Sequence, residues 1–76
     1  MCTTTRIDLI ETGRRISDLR RQKDLSIKEM QYALGFNTPQ AIFKWQRGDS
    51  LPSIDNLVVL AEIFDTTIDD ILVISR

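Results

Sequence analysis

The chain has 76 residues, 42% of them hydrophobic and 28% charged, which predicts one small soluble globular domain. It has no histidine, and its single cysteine, Cys2, lies in a polar amino-terminal stretch, so zinc sites of the cysteine–histidine kind and histidine-based catalysis are excluded. We therefore expect no catalytic residue, no metal, no cofactor and no small-molecule site. No apolar run approaches the roughly 20 residues of a membrane span, and one unpaired cysteine is typical of a reducing cytoplasm.

The net charge of −1 is distributed unevenly along the chain. Residues 1–48 contain nine Lys and Arg against five Asp and Glu, a net charge of +4, whereas residues 49–76 contain one Arg against six acids, a net charge of −5. A basic face on an acidic protein is enough to approach a phosphate backbone. Ordinary surface charge explains the same distribution, so charge alone does not indicate nucleic-acid binding.

Apolar residues recur at helical spacing from the start of the domain. Residues 1–12 are predicted to be a flexible or partly helical arm, because Gly13 interrupts the apolar pattern. The first helix is predicted over residues 13–23, with Thr12 as its N-cap and with Ile16 and Leu19 facing inward.

A second helix begins with a capping box. In Ser26-Ile27-Lys28-Glu29, the serine hydroxyl can accept from the third helical amide while the glutamate reaches back to the serine N–H. This helix is predicted to end at Gly35, where a positive φ is wanted.

The third helix is short and has two different faces. Thr38 is predicted as its N-cap, Pro39 as its first residue and Gly48 as its end, with Ile42 and Trp45 directed into the core. The residues expected on its outer face are Gln40, Phe43, Lys44 and Arg47.

Two further helices complete the predicted domain of residues 13–74. Ser53 is expected to cap a fourth helix over residues 54–64, and Thr67 a fifth over residues 68–74, leaving residues 75–76 as a tail. Five short helices joined by short loops predict a compact all-α bundle.

An ordered set of short motifs runs from Ile16 to Leu72. It comprises Ile16-x-x-Leu19-Arg20, Leu25-Ser26, Glu29-Met30, Leu34-Gly35, Ile42-x-Lys44-Trp45, Gly48, Leu51-Pro52-Ser53, Asn56-Leu57, Leu60-Ala61, Phe64 and Thr67-x-Asp69-Asp70-x-Leu72. With this set the chain resembles the phage repressor and Cro-like family, also called the XRE family. The resemblance implies a five-helix lambda-repressor-like DNA-binding domain whose helix-turn-helix motif covers about residues 26–47.

The resemblance also implies where duplex DNA would bind. Proteins of this family place the third helix in the major groove, so the expected base contacts here are Gln40, Lys44, Phe43 and Thr38. The expected phosphate contacts are Ser26, Lys28, Asn37, Arg47 and Gly48. The alternatives are that Gln40 and Lys44 are solvated surface residues and that Phe43 folds back onto the second helix near Tyr32.

Three positions differ from the usual family pattern. Ile27 stands where a glutamine is common, which removes one side-chain contact to phosphate. Gln46 stands where a glutamate often pairs with the arginine at Arg20, so only a neutral acceptor remains. The turn at residues 35–38 is one residue longer than usual.

The sequence therefore predicts a small sequence-specific transcriptional regulator in a prokaryotic or phage-type cytoplasm, acting as a repressor and binding DNA as a homodimer. The expected dimer surface is formed by Ile68, Ile71, Val73 and Ile74, and the alternative is that these residues only close the core. The rival hypothesis is an antitoxin-like or accessory protein that binds a partner through its acidic carboxy-terminal half. That surface would consist of Asp49, Asp55, Glu62, Asp65, Asp69 and Asp70.

Overall fold

Five α-helices lie between two very short strands in the computed structural model, which describes residues 5–75. The elements are β1 (Arg6–Ile7), α1 (Leu9–Gln22), α2 (Ile27–Leu34), α3 (Gln40–Arg47), α4 (Ile54–Ile63), α5 (Ile68–Ile71) and β2 (Ile74–Ser75). The predicted five-helix fold is confirmed, whereas the strands were not predicted. Residues 1–4 of the predicted arm, with Cys2, and Arg76 of the predicted tail lie outside the described residues.

The first helix begins four residues earlier than predicted. Asp8 is its N-cap, and the Asp8 carboxylate accepts from the backbone N–H of Glu11 at 3.0 Å. The prediction of Thr12 as the N-cap is therefore wrong: Thr12 lies within α1 and is fully buried. Gly13 does not interrupt the helix. It lies where α1 packs closely against α3, because a Cβ atom on Gly13 would overlap the carbonyl oxygen of Trp45 and lie 2.9 Å from that of Gln46.

The core lies between the helices and is entirely apolar apart from Thr12. Its buried hydrophobic residues are Ile16, Met30, Ile42, Trp45, Leu57, Leu60, Phe64 and Ile71. The predicted inward positions of α3, Ile42 and Trp45, are confirmed. Because both anchor residues of α3 are buried, its opposite face is left to solvent.

Most predicted helix ends are confirmed. The capping box of Ser26 and Glu29 is complete, and Gly35 ends α2 at a φ of +71°. The serine and threonine caps of the last two helices are also present, since Ser53 accepts from Asn56 and Thr67 accepts from Asp70.

The start of α3 differs from the prediction. The N-cap is Pro39 rather than Thr38, and no side chain caps this helix. The carbonyl oxygen of Pro39 accepts the first helical bond, from the N–H of Phe43 at 3.1 Å, so Thr38 lies one residue too early to serve as the cap.

The fifth helix is shorter than predicted and ends at Ile71. Its C-cap, Leu72, is already extended with ψ of 132°, and the following residues form β2, which pairs antiparallel with β1. Val73 also joins this pairing, because its carbonyl oxygen accepts from the N–H of Asp8 at 2.8 Å and its own N–H donates to the hydroxyl of Thr12 at 3.0 Å. These non-helical partners explain why the predicted helix does not continue to Ile74. None of the helices between residues 5 and 75 is long and apolar enough to cross a membrane.

Candidate nucleic-acid interface

The outward side of α3 forms one shallow concave surface. It is lined by Pro39, Gln40, Phe43, Lys44 and Arg47, and we call these five residues the α3 face. The surface combines an amide, two cationic groups and an aromatic ring on one short helix. Amides and cations can bond to base edges and phosphates, and an aromatic ring can contact a thymine methyl group.

Hydrogen bonds between α3 and α1 fix the orientation of α3. The side-chain oxygen of Gln46 accepts from the Ser17 hydroxyl at 3.2 Å and from Nε of Arg20 at 3.4 Å. Arg20 also donates through Nη1 to the carbonyl oxygen of Leu25 at 2.8 Å. The expected neutral acceptor for Arg20 is therefore present, and it connects α3 to α1 and to the loop before α2.

The turn between α2 and α3 packs against the core and is hydrogen-bonded to α2. The ring of Phe36 meets the ring of Trp45 edge-on, with centroids 5.8 Å apart. The N–H of Phe36 donates to the carbonyl oxygen of Gln31 at 3.0 Å, and Nε2 of Gln31 donates back to the carbonyl oxygen of Phe36 at 3.2 Å. The predicted contacts Asn37 and Thr38 follow in this turn and are exposed.

Phe43 remains on the α3 face. It is 39% exposed, so most of the ring is covered by neighbouring residues. Tyr32 is 89% exposed and therefore does not cover the Phe43 ring.

The amino end of α2 is partly occupied by its own capping box. The backbone N–H of Ser26 donates to a Glu29 carboxylate oxygen at 2.9 Å, and the Ser26 hydroxyl accepts from the Glu29 N–H at 3.0 Å. The bond from the Ser26 backbone N–H, followed by the interaction of the Ser26 side chain with the carboxylate, holds the pKa of Glu29 below its ordinary value. A phosphate at Ser26 would have to compete with the carboxylate of Glu29. Lys28 is exposed at the same end, whereas Ile27 packs against the core and offers no polar group.

The carboxyl end of α3 holds a residue that the sequence prediction missed. Gly48 ends α3 as predicted, at a φ of +81°, and directly after it the Asp49 carboxylate accepts from Nε of Arg47 at 2.9 Å. The predicted phosphate contact Arg47 therefore already has an anionic partner. The sequence signal that could have identified this ion pair is the Arg47-Gly48-Asp49 segment, in which the glycine reverses the chain direction and brings the acid back to the arginine.

The residues of the predicted dimer surface lie in different environments. Ile71 is fully buried in the core, so its place in that surface was wrong: it closes the core, as the alternative held. Ile68 and Val73 are half-buried, and Ile74 is 45% exposed. Two other exposed aliphatic residues lie one turn apart on α4, where Ile54 is 72% and Val58 is 51% exposed.

A fold with a buried inner face and a polar outer face on its third helix defines a class of DNA-binding protein. The family model described as helix-turn-helix matches residues 16–71, which is most of the chain. The chain therefore belongs to the helix-turn-helix family of the phage repressor and Cro-like, or XRE, type, and it is a DNA-binding transcriptional regulator.

Among solved structures, the chain is similar to the restriction-modification controller protein C.AhdI from Aeromonas hydrophila. The two are 26% identical in sequence and superpose with a TM-score of 0.74, and the match covers 84% of this chain and 96% of that chain. Comparison with curated protein sequences gave no match.

Proposed function

We propose that this protein is a sequence-specific repressor that binds double-stranded DNA by placing α3 in the major groove. The observation that carries the proposal is the α3 face, where Gln40, Phe43, Lys44 and Arg47 are all exposed on a helix whose inner residues are buried. A supported helix with such a face has the dimensions and the donors and acceptors that the major groove admits.

The residues of the α3 face would divide the contacts between them. Gln40 can pair with N6 and N7 of adenine, and Lys44 with O6 and N7 of guanine, each worth roughly 1–3 kcal/mol of discrimination. Phe43 can contact a thymine methyl group, and Thr38, whose hydroxyl does not cap α3, adds a fourth base contact.

Phosphate contacts would hold the protein in register without reading the sequence. Two exposed cationic residues lie near the two ends of the helix-turn-helix motif in the chain. Lys28 is at the amino end of α2, and Arg47 is at the carboxyl end of α3. Ser26, Asn37 and Gly48 complete the proposed set.

We further propose that the protein acts as a homodimer on two half-sites about 34 Å apart, at its own or neighbouring genes. The similarity to a protein described as a restriction-modification controller supports a regulatory role. Ile74, with the half-buried Val73 that precedes it and the half-buried Ile68 at the start of α5, is the proposed dimer surface.

Selection of bound duplexes from a random pool, followed by binding measurements over a series of salt concentrations, tests this function. We expect a log–log slope of about −0.9 for each phosphate neutralised. Gln40→Ala and Lys44→Ala should remove the sequence preference, whereas Lys28→Ala should weaken binding to all duplexes alike. A folded protein that binds no duplex at low salt would refute the proposal.

A second candidate function is that of an antitoxin-like or accessory protein. The exposed Ile54 and Val58 on α4 favour it, because they lie beside the exposed acids Asp55 and Glu62 and suit a partner with apolar and basic groups. Co-purification of a basic protein, together with absent DNA binding, would decide for this candidate.

A further inference from the structure

The backbone that follows α3 is held in a defined position. Gly48 takes a left-handed conformation and its N–H donates to the carbonyl oxygen of Trp45 at 3.1 Å. The N–H of Asp49 donates to the carbonyl oxygen of Lys44 at 2.9 Å. These two bonds are those of a glycine-terminated helix end, and they fix the Cα atom of Asp49 against the last turn of α3.

From that position the Asp49 carboxylate reaches Arg47. The Nε–Oδ2 distance is 2.9 Å, and the side chains of Arg47 and Asp49 are 60% and 55% exposed. A carboxylate oxygen and a phosphate oxygen are the same kind of acceptor for a guanidinium group. Because an exposed ion pair contributes little free energy, a phosphate can displace the carboxylate, but it must compete with it.

We infer that Asp49 limits the affinity of the α3 face for DNA by competing with phosphate for Arg47. This inference rests on the proposed function. When Arg47 moves from Asp49 to a phosphate, one anion replaces another, so the loss of the ion pair with Asp49 offsets part of the free energy that the phosphate contact gains. The displaced carboxylate also keeps a negative charge near the DNA backbone.

The competition acts on phosphate binding and not on base reading. Asp49 is not among the residues that line the α3 face, where Gln40 and Lys44 are the proposed base contacts. Its effect is therefore the same for every duplex sequence. Asp49 sets how strongly the protein holds DNA in general, and thus the salt concentration at which it is released.

The test compares the wild-type protein with Asp49→Asn, which keeps the size of the side chain, and with Asp49→Ala. Binding is measured over a salt series with the selected duplex and with a duplex of scrambled sequence. We expect both variants to bind both duplexes about fivefold more tightly at low salt. The log–log slope should become steeper by up to about 0.9, because no displaced carboxylate then offsets the phosphate charge that Arg47 neutralises.

Two controls separate this effect from a general change in charge. Glu62→Gln removes the same charge from an exposed position on α4 and should leave affinity and slope nearly unchanged. In an Arg47→Ala background, Asp49→Asn should lose most of its effect, because the group for which Asp49 competes is gone.

Each outcome decides the inference. Unchanged or weaker binding by Asp49→Asn, while the wild-type protein binds DNA, would overturn it and leave the proposed function standing. An equal gain from Glu62→Gln would also overturn it. If Asp49→Asn binds duplex DNA and the wild-type protein does not, both proposals are supported. If neither protein binds duplex DNA although both are folded, the proposed function is refuted and this inference with it.

Discussion

Gly13 lies where α1 packs closely against α3, and a Cβ atom at this position would overlap the carbonyl oxygen of Trp45. A Cβ atom at this position would lie 2.9 Å from the carbonyl oxygen of Gln46 and 3.0 Å from its carbonyl carbon, and both are backbone atoms of α3. Backbone atoms cannot turn aside as a flexible side chain can, so any side chain at Gly13 must push the two helices apart. The glycine therefore sets the distance between α3 and α1. That distance in turn determines how far the α3 face stands out from the rest of the domain.

We predict that Gly13→Ala lowers the free energy of unfolding by about 2 kcal/mol, although alanine is usually the better helix former. Urea denaturation followed by circular dichroism measures this change. Gly35→Ala is the matched comparison, because a Cβ there meets no atom within 4 Å and only the φ of +71° opposes it. It should cost about 1 kcal/mol. A loss at Gly13 no larger than that at Gly35 would contradict the close approach.

Among the elements, α2 has the most completely capped start. The Glu29 carboxylate accepts from the backbone N–H of Ser26, and this bond, followed by the interaction with the Ser26 side chain, favours the ionised form. The Ser26 hydroxyl accepts in turn from the Glu29 N–H. The pKa of Glu29 is therefore lower in the folded protein than in the unfolded chain. A group of this kind stabilises the fold above its unfolded pKa, and the contribution disappears as the pH falls through its folded pKa.

We predict that the stability difference between the wild-type protein and Glu29→Ala is largest near neutral pH. The difference should narrow as the pH falls below the ordinary glutamate value of 4.5. Thermal unfolding at a series of pH values measures it. Glu62→Ala is the control, because Glu62 lies in the last turn of α4 and caps no helix. If the difference in stability between the wild-type protein and Glu29→Ala stayed constant from pH 7 to pH 3, the capping box would not bind the ionised carboxylate when the protein is in solution.

The elements that sequence analysis predicted well are those whose ends depend on local chemistry. Ser26, Ser53 and Thr67 each bond to an amide three residues ahead, so a short stretch of sequence is enough to identify them. The start of α1 was missed because Gly13 locally resembles a helix break, whereas the α3 residues that it contacts, Trp45 and Gln46, are more than 30 positions away in the chain.

The strands and part of the site could not be predicted for related reasons. β1 and β2 have two residues each and exist only because the two ends of the described chain meet. On the α3 face, periodicity was enough to separate exposed Gln40 and Lys44 from buried Trp45. The pairing of Arg47 with Asp49 depends on how Gly48 turns the chain, and no periodic pattern encodes that turn.

At the scale of the whole molecule, much of the positive charge of the first half is compensated nearby. Several basic side chains lie within ion-pair distance of an acid, in the pairs Arg14–Glu11, Arg21–Asp18, Lys23–Asp65 and Arg47–Asp49. Within residues 5–75, the basic side chains with no such partner are Arg6, Arg15, Arg20, Lys28 and Lys44. Lys28 and Lys44 lie on the helix-turn-helix motif, so part of the uncompensated positive charge lies where a DNA duplex would bind.

Assembly is the other property of the whole molecule that can be tested. If the proposed surface around Ile74 holds two copies together, Ile74→Asp should shift the sedimenting species from twice the chain mass to the single chain mass. Ile54→Asp is the matched control, since it places the same charge on an exposed isoleucine of α4. Analytical ultracentrifugation of a concentration series distinguishes the two. Dissociation by Ile54→Asp instead would move the dimer surface to α4.

The pairing of β1 with β2 brings the two ends of the described chain together, with Arg6 opposite Ser75. A domain whose chain enters and leaves at one point can be inserted into a surface loop of another protein without stretching either of them. It can also be closed into a ring by a short linker, which would lower the entropy of the unfolded chain. The two short strands, which were not predicted from the sequence, thus make this DNA-binding domain suitable for insertion into another protein.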